Sequence, residues 1–548
     1  MDAGSREIRS RNLLFSIGAV FLVFLVFIPS LSFDFVLWDD TAIFEHPSIR
    51  DFSLNGFLNF VFESKLVRFT PGIRVFYFAM SFLFGPNPFA FHLIGVLLHS
   101  LVAGLFCWSM SLALPRAAAP IALVAAFLWA TAPSRVEAVS WVSAQPFPLS
   151  AVLVFISGYL IVGGNATHKT GWGRDVFALC LYITAILISA APASFPICLF
   201  LFFIGRGLGA KDAFRKTWPY CVVSVLTVFV HFRQVAKMHS DGFGMSIFAL
   251  PFTRMAEEIV FSGRGIVMLL APFWDGHALK PFYPTLLTRS DGLFSLCFLV
   301  GSLLAVLGFV AGYRGFRKIM GFVIVYFLVL VPFLGAEGWS APRALDRYFY
   351  FPHLIVFFGL AAFTAYGLKS RRFKVTAFAF GLAFMAFSAQ SCISQEEVWR
   401  NTGTLMSRLL ERERDPSKRL HFLNRRLIWL VRGNGSLADL QSHLEGHSLE
   451  FPSSGLALAG WSILRFKQGR FRESLDFFTK TMESENDVVG SGTTNQLLFG
   501  LSSDFIARGW AAPLREALRT MKVAPGRQKL AMEITRVLDH ESDASSGH

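Results

Sequence analysis

The sequence predicts an all-α protein: a polytopic bundle of transmembrane helices followed by a C-terminal α-helical repeat domain. Three observations predict it. Charged residues make up only 16% of the 548 and hydrophobic residues 53%, against about 25% charged in an ordinary soluble domain. The apolar residues come in blocks of roughly 15 to 25 and not at amphipathic spacing. Blocks of that length suffice as helices for a hydrocarbon layer of about 30 Å, which needs about 20 residues. After Trp399 the blocks stop. Disorder, a collagen-like chain and a secreted disulfide scaffold are excluded. The six cysteines form neither a CxxC nor a cluster with histidine, and read as small apolar fillers.

Eleven spans are expected, at about 13–33, 89–113, 118–133, 147–164, 175–190, 194–206, 217–232, 291–312, 318–334, 349–368 and 374–392. The first follows Arg6, Arg9 and Arg11 and has no small-residue cleavage site, which makes it an anchor. With the N-terminus cytoplasmic, the inner side holds 17 Lys and Arg against four acids, and the outer side of residues 1–394 holds 13 against 14. This is the positive-inside asymmetry. The net charge of +14 is therefore explained by short loops between spans, and no nucleic-acid partner is implied. Preserving that asymmetry places 255–271 along the outer interface, and the odd number of spans puts residues 395–548 outside. Two long outer loops result, about 34–88 with a helix at 73–84, and about 233–290. The expected location is a bacterial inner membrane, or the ER membrane in a eukaryote.

The first outer loop opens with FDFVLWDDTAIFEHPSIRDF (33–52), where Asp39 and Asp40 are adjacent and flanked by Trp38 and Phe44. Acids after a first span can simply enforce orientation. A carboxylate held at the interface is equally well placed to deprotonate an acceptor hydroxyl, because partial desolvation raises its pKa. Two neighbouring acids could also share a divalent cation such as Mg or Mn. Glu137 is the one acid of the second outer loop, so it either pairs with Arg135 or reaches the site. His92 and His99, seven residues apart, share a helix face; they read as core histidines or as groups for a proton or phosphate.

Taken in order, these pieces resemble GT-C type glycosyltransferases, above all the transmembrane-and-tetratricopeptide protein O-mannosyltransferases and their bacterial relatives. The pieces are Asp39-Asp40, Glu45-His46-Pro47, Arg68-Phe69-Thr70-Pro71, FGPNPFAFHLIGVLLH (84–99), APSRVEAVSWVS (132–143), PFYP (281–284) and LDRYFYFP (345–352). The resemblance implies inverting transfer of a sugar from a polyprenyl-phosphate-linked monosaccharide to a polypeptide or glycan acceptor on the outer face. It implies a first-loop Asp as general base, matched by Asp39 and Asp40, with Asp40 preferred. Arg347 is the candidate for the donor phosphate, since guanidinium pairs bidentately with phosphate oxygens; a structural pair with Asp346 is the alternative. Tyr348 beside it, Arg68, Glu137 and His92 complete the substrate-binding candidates.

The chain departs from that family at three places. Ala144-Gln145-Pro146-Phe147 stands where relatives read Gly-Arg-x-Asp, Gly95 replaces an Asn, and Ser189-Ala190 replaces a Ser-Lys pair. Each departure removes a group able to hold an anionic donor, so an inactive scaffold that binds a partner is the rival reading.

Beyond Trp399, residues 458–482 resemble a tetratricopeptide unit closed by Gly469, with Ser474 and Phe478 at its small and aromatic positions. A looser copy spans 498–525 through Gly509, Ala517 and Pro525, and helices are expected at 403–413 and 418–432. Such repeats form either a groove for an acceptor polypeptide or a cap on the outer face. The sequon Asn165-Ala166-Thr167 falls on the cytoplasmic side, and the glycines around Arg206 match no nucleotide-binding pattern.

Overall fold

The computed structural model of the chain describes residues 3–62, 70–115, 118–162, 172–240, 251–270, 292–313, 317–330, 346–367, 370–411, 413, 415–484 and 491–546. Among these the regular structure is helical throughout, with no strand. The chain divides into two compact units, Met1–Leu405 and Met406–His548.

Each of the eleven apolar blocks forms a helix. Five helices are long and apolar enough to cross a membrane: Glu7–Val26, Pro88–Ala113, Val142–Val162, Asp346–Tyr366 and Val375–Trp399. A sixth candidate, Ala119–Ala130 followed by Pro133–Ser140, is bent by 60°. Local chemistry sets the ends. The first helix gives way to a 3-10 turn over Ile28–Ser32, where Pro29 cannot donate a backbone hydrogen bond and the Ser30 hydroxyl donates to the Phe27 carbonyl at 2.8 Å. Asn87 caps Pro88–Ala113 by accepting from the Phe89 N–H at 3.1 Å, and Pro88 occupies the first turn, where no donor is needed.

The helix Pro88–Ala113 runs antiparallel to the first. The Asn12 amide donates to the Ser111 carbonyl at 3.4 Å, and a Cβ on Gly104 would lie 2.5 Å from Val20 Cγ2. That approach is available only to glycine.

Close contact of the same kind recurs further along the chain. Helix Pro251–Leu270 pairs antiparallel with Gly292–Tyr313. A Cβ on Gly263 would fall 1.8 Å from the Cys297 carbonyl oxygen, and one on Gly301 would fall 1.9 Å from that of Ile259. The Tyr326 hydroxyl further holds this helix by donating to the Ser262 carbonyl at 2.8 Å. Two small residues let two backbones meet.

The unit boundary also lies later than residue 394. Helix Arg371–Glu396 continues through Glu397–Trp399, and the buried Trp399 stacks on Trp141 at 5.6 Å between ring centroids. The Asp34 N–H donates to the Arg400 carbonyl at 3.0 Å, and the Leu37 N–H to Thr402 Oγ1 at 2.8 Å. Residues 395–405 are thereby fastened to the loop that follows the first span.

The second unit is built from antiparallel helices around a core that includes Leu427, Leu444, Leu464, Phe478, Leu498, Phe505 and Ile534. Gly469 and Gly509 hold φ of +75° and +78° at the turns before Phe471–Glu483 and Ala511–Thr520, the left-handed region glycine enters without cost. Ser462 and Ser474, both fully buried, each donate a hydroxyl to the other's carbonyl, at 2.6 and 2.7 Å. Ser436 and Asp439 form a capping box on Leu437–Glu450.

Candidate active site

The site is organised by a segment too short and irregular to read as a span. Pro133, three residues after Ala130, breaks the helix, and the chain folds back through Pro133–Arg135, Val136–Ser140 and Val142–Ala144 before Pro146–Val162 begins. This segment is almost entirely buried. It carries Arg135, Glu137, Trp141, Ser143 and Gln145 into contact with both the first loop and the Asp346–Phe349 turn.

The adjacent first-loop acids have different environments. Asp39 is exposed, whereas Asp40, the first residue of the short helix Asp40–Phe44, is 1% exposed. One Asp40 oxygen accepts the Val36 N–H at 2.9 Å; the other accepts the Ser143 N–H at 3.0 Å and the Ser143 hydroxyl. Burial pushes the Asp40 pKa up to about 7, against the opposing effect of those three donated bonds, and the neighbouring Asp39 charge adds to the rise. Asp39 acts electrostatically on Asp40, on Tyr77 and on Arg347, which places these groups around one locus. The Tyr77 hydroxyl donates to the Val142 carbonyl at 2.7 Å, tying the helix Pro71–Phe84 to the same segment.

Arg347 pairs with Glu137 and not with Asp346, and Glu137 pairs with Arg347 and not with Arg135. One Glu137 oxygen accepts from the Arg347 guanidinium, and the other from the Arg347 backbone N–H at 3.4 Å. The guanidinium lies over the rings of Trp141 and Tyr348, at 4.8 and 5.2 Å from their centroids. Two aromatic faces therefore fix its plane.

Arg135, fully buried, braces the turn from beneath. It donates to the Phe349 carbonyl at 2.8 Å, to Ser134 Oγ at 2.9 Å and to His353 Nδ1 at 2.6 Å. Since that nitrogen accepts, the His353 proton is on Nε2, which donates to the Gly265 carbonyl at 2.8 Å. His99 is likewise a satisfied core residue: its Nε2 faces the Ala130 carbonyl at 3.1 Å, and its Nδ1 takes the Tyr350 hydroxyl at 2.8 Å. His92 differs. It is buried edge-on to Phe33 at 6.3 Å, beside the Asp34 backbone.

Two of the three departures prove to be neighbours. A Cβ on Gly95 would lie 3.0 Å from Gln145 Nε2, and that amide donates to the Phe91 carbonyl at 2.6 Å. The Gln145 carboxamide fills the space that a side chain at position 95 would occupy. The Phe147 ring lies tilted to those of Tyr348 and Tyr350, with centroids 6.4 Å from each. The third departure leaves small buried or half-buried residues at Ser189 and Ala190.

Arg68, the Pro281–Pro284 stretch and the Asn165 sequon lie outside the described residues. As for a divalent cation, no group of three or more His, Cys, Asp or Glu is gathered for one among the described residues. Asp40 and Glu137 have their oxygens engaged, so Asp39 alone would face an ion. Sequence reasoning missed Ser143 and His353, and weighed Arg135 only as a partner for Glu137. Ser143 and Arg135 lie within the quoted 132–143 stretch, but nothing along the chain shows that their partners are Asp40 and His353.

No protein-family model matches the chain, and no curated protein matches it either.

Proposed function

We propose that this protein is a membrane glycosyltransferase that moves a monosaccharide from a polyprenyl-phosphate donor to a hydroxyl acceptor, a protein or glycan, on the extracytoplasmic face. The observation that carries the reading is that the buried 137–143 segment holds the first loop through Ser143 and Asp40 at one end and Arg347 through Glu137 and Trp141 at the other. A base, a phosphate-sized cation and aromatic walls suit transfer from an anionic leaving group, for which no second carboxylic acid is required, unlike glycoside hydrolysis.

In this reading the base is Asp39, with Asp40 as its alternative. Asp40 is buried and its oxygens already accept three hydrogen bonds, so its work is to hold the loop against Ser143; Asp39 is the carboxylate an acceptor can reach. In the proposed step Asp39 takes the acceptor's proton as its oxygen attacks the anomeric carbon. The bond from the anomeric carbon to the phosphate oxygen breaks, and polyprenyl phosphate departs with the electron pair, its charge held by Arg347. Eleven spans, a cytoplasmic N-terminus and a tetratricopeptide-like second unit that presents the acceptor complete the reading. The side shared by residues 34–37 and 400–402 supports it: if Glu7–Val26 crosses the membrane, residues 400–402 lie on the face opposite the N-terminus.

The rival is a non-catalytic scaffold. It is favoured by the Glu137–Arg347 pair, which already neutralises the proposed phosphate cation, together with the lost charges at Gln145, Phe147 and Ala190. Purified protein in lipid nanodiscs, incubated with polyprenyl-phosphate-linked mannose, glucose and galactose and a hydroxyl acceptor, should release polyprenyl phosphate. No release from any donor would leave the scaffold standing.

A further inference from the structure

Glu137 places its two oxygens on two N–H donors of a single residue, the guanidinium and the backbone N–H of Arg347. That is the arrangement in which a phosphate monoester or diester would present two of its own oxygens. We infer that Glu137 is a built-in anion that occupies the phosphate subsite of Arg347 and must be displaced when a phosphate-bearing ligand binds. The inference rests on the reading of Arg347 as the phosphate-holding group.

Three features support displacement over a permanent ion pair. Both partners are buried, but the Arg347 side chain keeps 11% of its surface exposed against 2% for Glu137, so the cation is the more accessible of the two. The Trp141 and Tyr348 rings also flank the guanidinium, so its position does not depend on Glu137 alone. A second buried cation also lies close by. Arg135 has no carboxylate among its hydrogen-bond partners, only carbonyl, hydroxyl, imidazole and ring faces, and Glu137 is within its electrostatic range. A carboxylate released from Arg347 therefore stays in a field that favours its charge. In the resting protein the internal anion satisfies a buried cation that would otherwise be costly. The ligand must compete with it, which lowers apparent affinity by the resting occupancy of the plug.

The test measures binding, so it does not depend on whether sugar transfer occurs. Wild type, Glu137→Gln and Glu137→Gln/Arg347→Gln are titrated in nanodiscs with a polyprenyl phosphate lacking its sugar, and separately with inorganic phosphate. Removing the competing charge should tighten polyprenyl phosphate binding at least tenfold, and the second substitution should abolish that gain. A matching gain for inorganic phosphate identifies a general phosphate subsite; a gain confined to the lipid identifies a headgroup subsite. Glu137→Asp, which withdraws the carboxylate by one methylene, should give a smaller gain in the same direction. Unchanged or weaker binding by folded Glu137→Gln overturns the proposal, and so does failure of both Glu137 variants to fold, which would make the pair structural. If the donor assays above give no transfer yet the tenfold gain appears, the plugged subsite stands and the glycosyltransferase reading falls.

Discussion

At the scale of single residues, adjacency in sequence conceals a division of labour. Asp39 and Asp40 are chemically identical neighbours, but one faces water and the other is enclosed by Val36 and Ser143. Asp39→Asn should therefore reduce transfer by at least 100-fold, the range of a lost general base, with thermal unfolding unchanged. Asp40→Asn should instead destabilise the protein by about 1–3 kcal/mol, because an amide must turn its NH2 group towards backbone donors. The two roles are separated by measuring melting temperature alongside kcat for both variants. A rising limb near pH 7 in the activity profile of the Asp39 variant, matching the raised pKa of Asp40, would return the base to Asp40. None of this division could be read from the Asp-Asp pair itself, since burial depends on residue 143, which lies 103 positions away.

Among the elements, long helices were legible and short ones were not. A run of 15 or more apolar residues declares itself by length alone, and helices such as Pro88–Ala113 and Pro146–Val162 match the expected blocks within a few residues. The turns between residues 133 and 145 are three to five residues each, less than the window over which any periodicity can be counted. Helix Pro251–Leu270 shows a third case: its helical character was clear from the chain, but its placement was decided by Gly263 and Gly301 meeting opposite backbones. Gly263→Ala should consequently destabilise the membrane unit by about 1–3 kcal/mol through overpacking. Gly18→Ala, where a Cβ would meet nothing within 4 Å, should be neutral or stabilising. Thermal unfolding in detergent compares the two, and equal melting temperatures would refute the close helix pairing.

For the whole molecule, the fastening of residues 34–37 to residues 400–402 bears on sidedness independently of how many spans are counted. If Pro251–Leu270 crosses the membrane, some other block does not, because the first loop and residue 400 share a face. Single cysteines at Asp39 and at Ser417, in an otherwise cysteine-free chain, should both react with a membrane-impermeant maleimide added to intact cells, while one at Ser5 should react only after permeabilisation. Reaction of the Asp39 and Ser417 positions from opposite sides would dissolve the proposed architecture.

The sequence by itself determined that this chain is helical, that its first 400 residues are rich in membrane-length apolar blocks, and that acids gather after the first of them. Hydropathy and charge are properties of neighbouring residues, so they can be summed along a chain. Only the tertiary structure decided that Glu137 holds Arg347 from 210 positions away, that Asp40 accepts from Ser143, and that Gln145 fills the space beside Gly95. Ion pairs, burial and close backbone approach are set by which segments meet, and that meeting is written in no single stretch of sequence.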